Sequence, residues 1–161
     1  KPTYIRLGKK GEPLLHKSPL DVQVGKVIKI CSGEKVLIVG IGNIVFECSV
    51  AANMFKENFG IQPEVISLAS VKPLDENYFE KAFEKFEIIT TVEEHCEKSG
   101  AGSIILNWAH KNGKDTRKLR VLGAPDEFIT SAGTQQNARV TLGLDSKNIY
   151  EQIRLQHDSR D

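Results

Sequence analysis

The sequence lacks the long apolar runs, the excess of one charge and the paired cysteines that mark several large protein classes. No apolar stretch approaches the ~20 residues that span a bilayer, and no signal-peptide pattern opens the chain. Lys and Arg total 22 against 21 Asp and Glu, a formal charge of +1, whereas nucleic-acid binders normally carry a basic surplus. We therefore expect neither a membrane nor a nucleic-acid partner.

The cysteines and the motif inventory add two further exclusions. Cys31, Cys48 and Cys96 are far apart and odd in number, which does not make a disulfide framework and favours the reducing cytoplasm. The chain has no GxSxG elbow and no Walker sequence, so it carries no self-contained catalytic motif.

The run from Glu93 to Cys96 contains metal-ligating residue types, but it does not have the spacing of a metal site. Four consecutive residues cannot all point at one ion, and neither a second His nor a CxxC pair stands at ligand spacing. We interpret the run as the end of a strand that leads into a polar loop, and we predict no metal site. His95 still has an informative position, because open α/β sheets usually place function at the carboxyl ends of their strands.

What the sequence does contain is an ordinary globular composition, with 40% hydrophobic and 27% charged residues over 161 positions. Its only methionine is Met54, so we expect Lys1 not to be a native start and the chain to be a fragment. Residues 2–7 alternate like a strand, and a polar stretch with Gly and Pro follows. We therefore divide the chain into an upstream tail with a linker, residues 1–20, and one domain, residues 21–161.

Beyond residue 25 the chain alternates apolar strand runs with amphipathic helices. The strand runs cover residues 27–30, 36–39, 65–68, 88–92 and 119–122. Asn43 and Asp75 are suited to cap the first two helices, and Gly60 is suited to end the first. The last strand, with its polar interruptions, is expected at an edge. This pattern predicts a three-layer α/β/α domain whose mostly parallel sheet has about five strands, one of them an antiparallel edge strand.

The turn from Gly40 to Asn43 lies where a dinucleotide-binding fingerprint would place its glycines, between a first strand and a helix. Val45 replaces the third glycine of that fingerprint, and Glu64 is the only candidate for the acidic ribose ligand. We favour a tight strand-to-helix turn. A stand-alone Rossmann-like module that binds a nucleotide at Gly40–Asn43 is the alternative.

Several short pieces, taken in order, resemble the C-terminal domain of transketolases. The matching pieces are KVLIVGIGN ending at Asn43, KPLD at 72–75, TVEEH at 91–95, GAGS at 100–103 and the stretch 128–149; residues 2–7, leading to Lys9, resemble the end of a pyrimidine-binding domain. The chain is most similar to the separate C-terminal subunits of split transketolases. Deoxyxylulose-phosphate synthase and the pyruvate dehydrogenase beta subunit are close relations.

The resemblance implies a parent enzyme that uses thiamine diphosphate and magnesium to move a two-carbon ketol unit between sugar phosphates. In that family two other domains hold the cofactor, one through a GDG-type motif that is missing from this sequence. The resemblance therefore implies an inactive fragment with no catalytic and no cofactor-binding residues. Its role would be packing and assembly with the other domains or an N-terminal subunit, in a homodimer or a heterotetramer.

The resemblance also implies residues that bind the substrate phosphate, and the sequence suggests a candidate interface. Many relatives bind the substrate phosphate with an arginine at the position of Lys9, and Arg6 is a nearby substitute; a lysine lacks the bidentate geometry of arginine. The loop from Glu94 to Gly102 is a candidate interface. Its named residues are Glu94, His95, Gly100 and Gly102.

Overall fold

The computed structural model describes residues 2–5, 13–16, 19–130 and 132–160. Their centre is a five-stranded sheet in the order β1-β3-β2-β4-β5. The strands are β1 (Ile28–Cys31), β2 (Val36–Ile41), β3 (Glu64–Ser67), β4 (Ile88–Cys96) and β5 (Leu119–Ala124). β1 pairs antiparallel with β3, and the other neighbours are parallel. The predicted sheet, with an antiparallel strand at one edge and the last strand at the other, is confirmed.

Helices cover both faces of the sheet. They are α1 (Val45–Phe59), α2 (Glu76–Lys85), α3 (Ala101–Lys111), α4 (Gln135–Thr141) and α5 (Ser146–Asp158). Successive residues of β2 serve opposite faces: Ile38 packs in a cluster with α1 and α5, and Leu37 packs in a second cluster with α2 and α3. Because side chains alternate along a strand, this continuous apolar run fills two cores at once. The three-layer architecture is confirmed.

Each core is built around aromatic rings. On one face Phe55 stacks on Phe59 at a ring-centroid distance of 4.5 Å and contacts Tyr150 edge-on. On the other face Trp108 of α3 lies 6.2 Å from the rings of both Phe79 and Phe83 of α2. These contacts join α1 to α5 on one face and α2 to α3 on the other.

Two of the predicted helix ends are confirmed and one is wrong. Asp75 caps α2, because its carboxylate accepts the backbone N–H of Tyr78, and Gly60 ends α1 in the left-handed conformation at φ 70°. Asn43 does not cap α1. The chain first tightens into a 3-10 turn (Gly42–Ile44), so the residue at the N-cap position is Ile44, which makes no capping hydrogen bond through its side chain.

The predicted end of β4 is also wrong. The strand continues through the polar run to Cys96, because Glu93 pairs with Ile41 of β2 and Cys96 pairs with Ala124 of β5. Neighbouring strands thus extend β4 where its own sequence predicts a loop. The extension brings the polar run to the carboxyl edge of the sheet.

Candidate functional site at the carboxyl edge of the sheet

Glu93 is the central residue of the carboxyl edge. Its side chain is only 1% exposed, and each carboxylate oxygen accepts a backbone N–H at 2.8 Å, one from Ala101 and one from Gly102. These N–H groups belong to the first turn of α3, where the helix dipole favours a negative charge. The chain's own carboxylate therefore fills the place that an external anion would take.

Gly100 and Gly102 allow this close approach of α3 to the sheet. A Cβ atom at Gly100 would lie 2.2 Å from Glu93 Oε2, and one at Gly102 would lie 2.5 Å from Thr91 Oγ1. A side chain at Gly100 would displace the Glu93 carboxylate, and one at Gly102 would displace the side chains of Thr91 and Val121. The structure thus gives these two predicted interface residues an internal packing role.

Glu94 joins a second group of charges that the sequence did not reveal. Its Oε1 accepts Nε of Arg139 at 2.8 Å and Nε2 of Gln135 at 2.9 Å, both from α4. Arg139 Nη1 also lies 3.6 Å from Glu47 Oε1 on α1, and Glu47 Oε2 accepts the backbone N–H of Ser146 at 2.9 Å. Four elements, β4, α1, α4 and α5, thus meet through these charged side chains.

Sequence reasoning missed Glu47 and Arg139 because no local motif includes them. The two residues are 92 positions apart, and both are buried. The only general guide is that a buried charged residue nearly always has a partner. That rule does not say which partner.

His95 lies at the rim of a cleft beside Glu93. Its side chain is 65% exposed, and its Nδ1 is 3.8 Å from Glu93 Oε2. The cleft has a volume of about 370 Å³, and Ile41, Val71 and Ile104 supply much of its apolar wall, with the free thiol Cys96 also lining it. His95 is therefore the most exposed of the predicted interface residues, whereas Glu94 and Gly100 are half-buried.

The turn proposed for nucleotide binding does not have the matching acidic group. Glu64 pairs with Leu37, whereas Gly40 pairs with Ser67, so the carboxylate lies near the opposite end of the sheet, about 10 Å along the strand. A Cβ at Gly40 would be 2.8 Å from Val45 Cγ2, which shows that this glycine serves the packing of α1 on β2. The nucleotide-binding alternative receives no support.

Glu64 instead forms an ion cluster at the amino edge of the sheet. It accepts a hydrogen bond from Lys85 Nζ at 2.9 Å and one from the Tyr78 hydroxyl at 2.8 Å, and Lys29 Nζ lies 3.5 Å away. Burial by itself raises the pKa of Glu64, but these bonds and the lysine charges outweigh it and hold the pKa below its ordinary value. Burial and the Glu64 carboxylate raise the pKa of Tyr78.

Three expectations from the sequence concern neither the carboxyl-edge site nor the Glu64 cluster. Arg6 and Lys9, the predicted phosphate ligands, lie outside the described residues. Within the described ranges, no group of three or more His, Cys, Asp or Glu side chains is arranged to hold a metal ion. In the same part of the chain, no helix has the length and hydropathy to cross a membrane.

Comparison with known sequences identifies relatives along almost all of the chain. The family model "Transketolase, C-terminal domain" matches residues 25–149. One of the subunits of the apulose-4-phosphate transketolase of Phocaeicola vulgatus is 30% identical over 92% of this chain and 46% of its own. The 1-deoxy-D-xylulose-5-phosphate synthase of Actinobacillus pleuropneumoniae is 34% identical over 93% of this chain and 23% of its own. The chain thus spans less than half the length of either relative.

Comparison with solved structures gives the same fold. A split gene transketolase, described as an inactive beta4 tetramer, superposes with a TM-score of 0.82 at 23% identity, covering 92% of this chain and 47% of that one. The transketolase of Campylobacter jejuni superposes with a TM-score of 0.55 at 16% identity over 80% of this chain and 18% of its own.

Proposed function

The chain belongs to the family of transketolase C-terminal domains, and from this premise we propose that it is the assembly domain of a larger transketolase-type enzyme. Enzymes of this family depend on thiamine diphosphate. The reaction we propose for the parent is the transfer of a two-carbon ketol unit between sugar phosphates. In this proposal the chain contributes surfaces for packing, and other domains contribute the chemistry.

The observation that carries this proposal is that the polar side chains at the carboxyl edge bind other groups of the same chain. Both oxygens of Glu93 are taken by backbone N–H groups of α3, and Glu47 and Glu94 share Arg139. Among the described residues, no group of three or more His, Cys, Asp or Glu side chains is arranged to hold a metal ion. We assign no cofactor step to this chain.

The amino-terminal segment supports the packing role. Tyr4 and Ile5 are 88% and 71% exposed, which leaves apolar surface for another part of the enzyme to cover. We propose that residues 1–20 are the tail of a pyrimidine-binding domain with its linker and that residues 21–161 are the C-terminal domain. Arg6 and Lys9 would then lie near the substrate phosphate, and Glu94, His95, Gly100 and Gly102 at an interface between domains or subunits.

A binding experiment tests whether the cofactor binds to other domains and not to this chain. Calorimetry of the 161-residue chain with thiamine diphosphate and Mg²⁺ is expected to show no binding. A tagged chain is expected to retain, from the source cell, a partner whose sequence carries a Gly-Asp-Gly motif, and the complex is expected to bind the cofactor. Tight, magnesium-dependent binding to the chain alone would contradict the proposal.

Two surface variants test whether the amino-terminal segment takes part in association with that partner. Ile5→Glu is expected to weaken association with that partner, because it places a charge on an apolar contact. Leu155→Glu changes a comparably exposed residue on α5 and serves as the matched control. Equal loss of association in both variants would count against a specific role of the amino-terminal segment.

A further inference from the structure

The connection after β5 and helix α4, which the structure describes at residues 125–130 and 132–141, are attached to the domain in an unusual way. All of these residues are exposed except Ala138, which is half-buried, and Arg139, which is buried. A surface helix normally docks through an apolar stripe, yet Val140 of α4 is 54% exposed. We call this stretch the strap.

Arg139 is the buried side chain that attaches the strap, beside two exposed contacts, Gln135 with Glu94 and Asp126 with Lys98. Its Nε donates to Glu94 at 2.8 Å and its Nη1 lies 3.6 Å from Glu47. Its Nη2 is buried and has no hydrogen-bond partner among the described residues. A buried guanidinium has lost its hydration, so its position depends on the two carboxylates that face it.

Well-packed elements bound the strap on both sides. β5 is paired with β4 before it, and after it Leu142 and Leu144 pack in the core shared by α1 and α5. The backbone N–H groups of Leu142 and Leu144 donate to the carbonyl oxygens of Ala138 and Arg139 at 2.9 Å and 2.7 Å. Opening the strap would therefore break these two hydrogen bonds together with the side-chain contacts of Arg139.

We propose that the strap is a conformational device: it opens and closes as a unit over the carboxyl edge, and Arg139 is its latch. In the closed state Arg139 neutralises Glu94 and Glu47. In the open state both carboxylates face water and the edge becomes acidic. The sheet and helices α1, α2, α3 and α5 stay folded in both states.

Native-state amide hydrogen exchange of the full chain in low urea tests this device. The amides of residues 138–142 are expected to exchange through an opening with little urea dependence, because little surface is exposed. The amides of α1 are expected to follow global unfolding. If residues 138–142 exchange with the same urea dependence as α1, the strap is not a separate unit and the proposal fails.

Substitutions at the latch provide an independent readout. Arg139→Met is expected to raise the exchange of residues 138–142 by about tenfold or more, because it removes the positive charge that pairs with both carboxylates. Arg139→Lys is expected to fall between it and the unmodified chain. Arg154→Met, in an exposed ion pair on α5, is the matched control and should leave that exchange unchanged. A variant at Arg139 that speeds exchange equally in α1 and β4, or that fails to fold, would show that Arg139 belongs to the core rather than to a latch.

Discussion

The two edges of the sheet both bury carboxylates, but they hold them in opposite ways. At the amino edge Glu64 is bound by the ends of long side chains, Lys85, Tyr78 and Lys29, and both lysines are half-exposed. At the carboxyl edge Glu93 is bound by two backbone N–H groups. Flexible donors can follow a displaced partner, whereas backbone donors at the start of a helix cannot.

This difference predicts which edge of the sheet tolerates substitutions. The amino edge should lose stability gradually, because each lysine keeps access to water when its partner is altered. The carboxyl edge should respond sharply to any side chain that disturbs Glu93, because a buried charge without donors is costly. The following experiments test this contrast, in order of decreasing expected effect.

Gly100→Ala should have the largest effect. The new Cβ overlaps the Glu93 carboxylate and forces it off its donors, so we expect a loss of about 3–5 kcal/mol in the free energy of unfolding, measured by urea denaturation. Gly113→Ala is the control, because its Cβ meets nothing within 4 Å and only its positive φ of 65° is strained, at a cost of about 1–2 kcal/mol. Equal losses would mean that Glu93 moves aside freely.

Glu93→Gln should have a smaller effect. The amide oxygen retains one N–H donor from α3, but the amide NH₂ group faces the other donor. We expect a loss of about 2 kcal/mol, the range for hydrogen bonds to a charged group. Thermal unfolding followed by calorimetry measures it. A neutral or stabilising result would show that the carboxyl edge is as tolerant as the amino edge.

Glu64→Gln should cost about 1–2 kcal/mol at pH 7, and the cost should depend on pH. The folded pKa of Glu64 lies below the ordinary value of 4.5, so its contribution is complete above pH 4.5 and is lost as the pH falls through the folded pKa. The stability difference between the variant and the unmodified chain should therefore shrink in acid. Glu84→Gln, at an exposed glutamate of α2, controls for net charge, and a difference that grows in acid would contradict the assignment.

Arg117→Ala should have the smallest effect. Arg117 pairs with Asp115 in the turn that precedes β5, and its guanidinium lowers the pKa of Asp115 to about 2. Both groups are open to solvent, and such pairs contribute little to stability. We expect a urea midpoint that does not differ measurably from that of the unmodified chain. A clear loss would show that burial is not what separates strong from weak ion pairs in this domain.

The layered fold could be predicted from the sequence because its signals are local. The apolar run of β2, the β-branched run in β4 and the cap at Asp75 each depend on a few neighbouring residues. The extension of β4 to Cys96 could not be predicted, because it comes from pairing with β2 and β5. Tertiary contacts override local preference at such strand ends.

The candidate site was predictable only in part. The sequence resemblance identified the family that the match over residues 25–149 confirms. It also singled out Gly100 and Gly102, whose packing against Glu93 and Thr91 depends on the sheet. The contact between Arg139 and the two glutamates joins positions 45 and 92 residues apart, and no periodicity encodes such a pair. The interface role of Glu94, His95, Gly100 and Gly102 stays a prediction.

Trp108 provides an intrinsic fluorescence probe of one face of the domain. It is the only tryptophan in the chain, and it contacts Phe79 and Phe83 on the face covered by α2 and α3. Indole emission will therefore report the loosening of that face alone, whereas far-ultraviolet circular dichroism averages over all helices. Superimposable melting curves from the two signals would show that both layers unfold in one cooperative step.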